Sequence, residues 1–338
     1  MSRFATAVLA LALLVVGQAP VVAQVFPRHT AELDLNLLSQ GSREHWVGGY
    51  LPQQGLTSIP EVWMFDRQGK LVIPRTELLP PGASHFDIKH VTADQSGNLY
   101  AAGQVWSGAG AGTGAICRIG PGGKTILVIK TDDFVPWVIA ATKDGDIWAL
   151  VVPLLLQTHR TTTNEYNTLW HFDGSGRLLE QLLPRSTFGP EVIPTLGFAD
   201  VGKPQLLTTS TRLGVYVAAR SRWIEYDLKA GKKIIDLTVP RPAAADGTLA
   251  LLGDLSMTES DNEVYGFFGY GHRDAAHPNV LYRLDKESGR WIKIFDLTPP
   301  AEYTWVFGAD GDDLVLRAGE RTYGWFPAKT LTATTHAP

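Results

Sequence analysis

A few short stretches of the chain gather histidine, carboxylate and tryptophan residues, and their types limit the chemistry open to it. His272-Arg273-Asp274-Ala275-Ala276-His277 sets two imidazoles and a carboxylate close together. Such a set can ligate a divalent metal or shuttle protons. A spacing of five is not that of two ligands on one helix face, so a solvated loop is the simpler reading. His85-Phe86-Asp87-Ile88-Lys89-His90 is a second set. Read as a strand, it turns Phe86, Ile88 and His90 to one side and His85, Asp87 and Lys89 to the other. One of these sides can face a ligand, and a histidine bonded within the core is the plainer alternative. His159 and Arg160 stand beside Thr161, Thr162 and Thr163, either as a flap over a site or as a polar loop. Arg185, Glu191, Arg241, Asp246 and Glu302 add charge. Trp137 and Trp305 add flat rings that can stack a sugar or an aromatic ligand, although burial in a core is the commoner use of tryptophan.

Several familiar chemistries are excluded. Gly110-Ala111-Gly112-Thr113-Gly114-Ala115 matches G-x-G-x-x-A, but a strand-like run follows it, so no helix N-terminus would hold a pyrophosphate. No G-x-S-x-G or H-E-x-x-H sequence is present. Cys117, the single cysteine, lies in an apolar run as a small hydrophobe and has no second cysteine to pair with. The formal charge is −4 and no basic run exists, which argues against nucleic acid and anionic membranes as partners. No cofactor is evident, and a divalent metal in a central channel stays open.

The first residues have the pattern of a secretory signal peptide. Arg3 precedes the apolar run Phe4–Val16, residues Gly17, Gln18 and Pro20 break it, and Val21-Val22-Ala23 offers a small-residue cleavage site. The run has 13 residues, short of the roughly 20 that span a bilayer. We expect a signal peptide over 1–23, a folded domain over 24–338, secretion or periplasmic location, and no membrane span after cleavage. A monomer is expected.

The elements that must position these residues are repeated. A glycine followed by a base recurs at Gly69-Lys70, Gly123-Lys124, Gly176-Arg177, Gly231-Lys232 and Gly289-Arg290. Each lies between two short apolar runs. Asp66, Asp173, Asp227 and Asp285 open four of these turns; aspartate bonds the backbone two residues on, and glycine takes the positive φ a tight hairpin needs. A second series alternates with the first: Asn98-Leu99-Tyr100, Asp146-Ile147-Trp148, Gly214-Val215-Tyr216 and Glu263-Val264-Tyr265, with weaker copies at Glu44-His45-Trp46 and Asp313-Leu314-Val315. One unit therefore reads strand, tight turn, strand, longer loop, strand, tight turn, strand. Four-stranded meanders of about 50 residues bury their faces by radial packing. The fold expected is all-β, a single β-propeller of six four-stranded antiparallel blades, with a seventh only if a further degenerate copy exists. Leu33, Leu35 and Leu37 alternate with polar residues as a strand, innermost in the first blade or outermost in the last; Lys329–Thr334 competes for the latter place.

The segment Val91-Thr92-Ala93-Asp94-Gln95-Ser96-Gly97-Asn98-Leu99-Tyr100-Ala101-Ala102 resembles the repeat of NHL-type propellers. Phe65-Asp66-Arg67-Gln68-Gly69-Lys70-Leu71 and Phe172-Asp173-Gly174-Ser175-Gly176-Arg177-Leu178 look like its outer hairpin. With the gluconolactonase-like and virginiamycin-lyase-like groups, these form a broad set of six-bladed propellers. The likeness is architectural. The metal-ligand pattern of the gluconolactonase-like enzymes and the catalytic histidine of the lyases have no copy here.

Loop lengths single out one face. The first and third turns of each unit are short. The second loops (51–61, 107–115, 153–168 and 269–279) and the connections between units (80–85, 132–137, 184–194, 240–248 and 299–303) are longer, and all fall on the opposite face, where binding sites concentrate. The reading is an exported module presenting that face to a protein, a glycan or a small ligand. The alternative, a metal-assisted lactone hydrolase or lyase at the channel mouth, requires two or more of Asp87, His90, Glu191, Asp254, His272 and Glu302 to converge.

Overall fold

A computed structural model describes residues 27–33, 40–42, 45–50, 59–108, 112–154, 165–188, 204–269, 279–296, 305–319 and 321–333. The expected signal peptide lies outside these residues. The described chain forms six four-stranded antiparallel sheets. A first strand, β1 (His29–Glu32), precedes blade 1, which is β2 (Gln40–Ser42), β3 (His45–Tyr50), β4 (Glu61–Asp66) and β5 (Leu71–Glu77). Blade 2 is β6 (His85–Ala93), β7 (Leu99–Trp106), β8 (Thr113–Ile119) and β9 (Thr125–Asp132). Blade 3 is β10 (Phe134–Ala141), β11 (Ile147–Pro153), β12 (Asn167–Phe172) and β13 (Leu178–Pro184). Blade 4 is β14 (Gln205–Thr208), β15 (Arg212–Val217), β16 (Arg222–Asp227) and β17 (Lys232–Thr238). Blade 5 is β18 (Leu251–Met257), β19 (Val264–Gly269), β20 (Val280–Asp285) and β21 (Arg290–Asp296). Blade 6 takes β22 (Trp305–Asp310), β23 (Asp313–Ala318) and β24 (Thr322–Pro327), with β1 as its fourth strand.

The molecule is a six-bladed β-propeller. The innermost strands β2, β6, β10, β14, β18 and β22 each touch their two neighbours and close a ring. Six buried clusters lie between successive blades, so each sheet is covered on both faces. Second strands are therefore apolar almost throughout, as in β11 (IWALVVP) and β19 (VYGFFG). Their central residues Trp46, Tyr100, Trp148, Tyr216, Tyr265 and Val315 are all buried. Outer strands alternate in part: in β17 (KKIIDLT) Ile234, Asp236 and Thr238 are exposed while Ile235 and Leu237 are half-buried.

The tight turns form as their residues require. Asp66 Oδ1 accepts from the N–H groups of Gln68 and Lys70, and Asp173 Oδ1 from those of Ser175 and Arg177. Gly69 and Gly176 adopt φ of 79° and 89°, which an L side chain resists. The Ser175 hydroxyl, then the Arg177 N–H, hold the Asp173 carboxyl down to about 2.

Three expectations are corrected. The strand that closes the ring is His29–Glu32, paired to β24 from His29↔Trp325 to Glu32↔Thr322; of the run read as a strand, Leu33 follows it fully buried, and 34–39 lie outside the described residues. Residues 328–333 are a short helix, α1 (Ala328–Ala333), because β1 already occupies the edge of β24. The connection expected over 132–137 is the single residue Asp133. Asp132 takes φ of 49° there, and the Thr131 hydroxyl donates to Phe134 O at 2.5 Å across the turn.

Candidate functional site

The wall of the channel between blades 2 and 3 gathers part of the expected site. β6 enters from the long-loop face at His85, which is exposed and lies 5.1 Å from the Trp106 ring. Strict alternation fails after that. Ile88 pairs with Gly103 and His90 with Ala102, so Lys89 is the extra residue of a β-bulge. Phe86, Ile88, Val91 and Ala93 all join the cluster shared with blade 1. His90 turns the other way, and its Nδ1 accepts from the Ile139 N–H of blade 3 at 3.3 Å. Asp87 and His90 thus share the blade 3 side of β6, contrary to the alternation expected from the sequence. The bond to Nδ1 leaves the imidazole proton on Nε2.

Blade 3 carries a matching bulge. Pro136 pairs with Val151 and Val138 with Leu150, so Trp137 is its extra residue. The two bulges bring their residues together: Lys89 Nζ lies 4.9 Å from the centroid of the Trp137 ring. The same ammonium is 2.5 Å from Asp87 Oδ2. Lys89 is thereby held as a cation by a carboxylate and an indole face. Behind it, Gln104 is the register partner of Asp87, is 6% exposed, and has an Oε1 with no partner among the described residues. Gly103 is required at this point, since a Cβ there would sit 2.0 Å from Asp87 O. Lys89 and Gln104 were not singled out from sequence. The signal for the first was a lysine two residues from Asp87 in an inner strand.

The remaining expected residues are scattered or outside the description. Arg185 begins a 3₁₀ turn after β13, with Nε 4.0 Å from Glu165 Oε2. Arg241 Nη1 donates to Ala250 O at 3.4 Å, and Asp246 caps its own loop through the Thr248 N–H. Asp254 lies in the bulge of β18, a different blade, where Gln205 of blade 4 accepts from Leu255 N–H and donates to Gly253 O. Trp305 starts β22, opposite Arg317; its side chain lies outside the described set. His159, Arg160, Glu191, His272, Arg273, Asp274, His277 and Glu302 all lie outside the described residues.

Among the described residues no group of three or more His, Cys, Asp or Glu side chains is placed to hold a metal. Asp87 and His90 fit a cation poorly as they stand, one bonded to an ammonium and the other with its free lone pair taken by a backbone N–H. Cys117 is buried, and burial pushes its thiol up to about 12, which keeps it a non-nucleophilic core residue. No helix among the described residues is long and apolar enough to cross a membrane.

No protein-family model matches the chain, and no curated protein matches it. Solved structures do. A gluconolactonase from Xanthomonas campestris is 12% identical, over 79% of this chain and 78% of that one, with a TM-score of 0.44. A putative 6-phosphogluconolactonase from Bacteroides fragilis is 13% identical, over 81% and 74%, with a TM-score of 0.41. A chain of a nidogen/laminin complex is 13% identical, over 78% and 82%, at 0.41. The likenesses are architectural, and the class that the fold defines is the six-bladed propeller.

Proposed function

We propose that the protein is an exported binding module that takes a hydroxylated ligand, a glycan or a smaller polyol, at the long-loop mouth of its channel. The observation that supports this reading is the Asp87–Lys89–Trp137 group. An aromatic face accepts the C–H side of a sugar ring, while the carboxylate and ammonium beside it meet the hydroxyls. Export rests on the residue pattern of 1–23, and cleavage after Ala23 would leave Gln24 as the first residue of a secreted or periplasmic chain.

Intrinsic tryptophan fluorescence of the mature protein, titrated with a panel of soluble oligosaccharides, tests the binding. A saturable change that Trp137→Ala and Asp87→Asn each weaken at least about tenfold is expected. No saturable response, or one indifferent to both substitutions, overturns the reading. Native mass spectrometry of the same sample separates it from the hydrolase alternative, in which a retained divalent ion would draw on residues such as Glu191, His272 or Glu302.

A further inference from the structure

The short-turn face carries a repeated arrangement in which a cation bridges successive blades. The residue after the turn aspartate reaches back to an acid of the preceding blade. In blade 1 it is Arg67, whose guanidinium lies 3.0 Å from Asp310 and 3.8 Å from Asp313 of blade 6. In blade 5 it is Lys286, which pairs with Glu225 of blade 4. In blade 3 a glycine, Gly174, holds that place and the cation comes from the other side: Arg118 of blade 2 donates to Gly174 O at 2.8 Å.

Blade 4 breaks the pattern. Leu228 follows Asp227 and packs into the cluster between blades 3 and 4. The acids it would otherwise meet are Asp146 and Glu180 of blade 3. Asp146 holds the same position before Trp148 that Asp313 holds before Val315. Among the described residues no cation of blade 4 bonds to either acid. They bracket His171 instead, Asp146 Oδ2 at 3.2 Å from Nε2 and Glu180 Oε1 at 3.2 Å from Nδ1. The imidazole lies flat on Trp148, with ring centroids 4.0 Å apart and planes 8° from parallel. A neutral imidazole has one N–H and can donate to only one of the two carboxylates.

What remains is a groove of about 330 Å³ lined by these residues with Tyr226 and Leu228. Its charged lining also includes Asp144 and Asp227, the latter 2.5 Å from Arg212, and the two lysines Lys143 and Lys229. Acids therefore outnumber lysines.

We propose that this groove binds a guanidinium or primary ammonium group brought by another molecule, in the place that Arg67 and Lys286 fill in their own grooves. The site lies on the opposite face from the glycan site proposed above and stands without it. The groove lacks the cation that Arg67 and Lys286 supply between their own blades, and it offers two carboxylates and aromatic walls to receive one.

The test is calorimetric titration of the mature protein with three probes: agmatine, an arginine-containing pentapeptide, and the same peptide with citrulline. Binding of the arginine peptide but not the citrulline peptide is expected, with agmatine binding as well if a small organic amine suffices and not if a peptide backbone is needed. Glu180→Gln should weaken binding at least about tenfold. Leu228→Lys, which supplies the missing cation from within, should abolish it while the circular dichroism spectrum and Tm show an intact fold. No binding of either arginine probe up to about 10 mM, equal binding of the citrulline peptide, or binding indifferent to Glu180→Gln and Leu228→Lys would overturn the proposal.

Discussion

The Asp94 carboxylate ends three hydrogen bonds at one corner of blade 2: from the Asn98 N–H at 2.9 Å, the Asn98 amide at 2.7 Å and the Tyr100 hydroxyl at 2.8 Å. Both Asp94 and Tyr100 are buried. Asp94→Ala strands the phenol and uncaps the turn, and should cost about 3 kcal/mol, whereas Tyr100→Phe leaves Asp94 its two other partners and should cost about 1. Urea midpoints of the two variants check this, and equal losses would show that packing of the ring outweighs the network. Burial acts on other phenols too. It pushes Tyr166, Tyr226 and Tyr265 up to about 12, and raises Tyr100 further, with Asp94 adding to it. A group that keeps its proton longer in the folded state than in the unfolded one stabilises the fold below its unfolded value and loses that contribution as pH rises. Stability should therefore hold to about pH 10 and fall between 10 and 12, with phenolate absorbance appearing together with unfolding and not before it. Tyr226→Phe should flatten that fall.

At the scale of the element, strands and turns were legible in the sequence because their causes are local. An aspartate, a positive-φ glycine and a base recur together in the outer hairpins, and a buried ring marks the second strand of every blade but the sixth, which has Val315. The bulges were not legible. Nothing in the types of Lys89 or Trp137 marks an extra residue, and one extra residue was enough to put His90 on the side of Asp87. The groove between blades 3 and 4 was hidden for a different reason: Leu228 differs meaningfully from Arg67 and Lys286 only once the acids of the preceding blade stand beside it. The glycine-rich stretch is explained at this scale as well. A Cβ on Gly114 would sit 1.7 Å from Phe134 O and 2.3 Å from Thr131 Oγ1, and one on Gly112 would sit 2.5 Å from Gln104 Nε2. Gly114 admits close packing across the one-residue connection at Asp133, and Gly112 admits the Gln104 and Trp106 side chains of the neighbouring strand. The Phe134 carbonyl cannot retreat, because the Thr131 hydroxyl bonds it and the turn is already tight. Gly114→Ala should cost about 3 kcal/mol or more, seen as a lower urea midpoint, and an unchanged midpoint would mean that blades 2 and 3 can slide apart without penalty.

The whole molecule depends on a closure made without a covalent bond. Its single cysteine is buried and unpaired, and the closure relies on β1, which crosses from blade 1 to complete blade 6, together with the contacts between blades 1 and 6. Beyond the four register pairs with β24, Leu33 and Ala31 pack with Trp46 and Phe65 of blade 1 and Tyr323 and Trp325 of blade 6. Arg28 adds an ion pair to Asp313 at 3.3 Å, and the Thr322 hydroxyl donates to Glu32 at 2.5 Å. A chain beginning at residue 34 would lose all of these at once and expose the edge of β24, an open template for pairing with a second chain. Each kcal/mol lost is worth roughly 2–4 °C in a protein of this size, and a fourth strand with its buried leucine is worth several. The truncated protein should melt at least about 10 °C lower than the chain beginning at Gln24 and should associate as concentration rises. A synthetic peptide of residues 24–35 should restore both Tm and monomer when added, since the strand pairs through backbone groups that a separate chain can also supply. If the truncated protein melts with the mature one and ignores the peptide, the ring is closed by contacts between blades 1 and 6 themselves, and β1 only decorates an edge that the inner strands β2 and β22 have already joined.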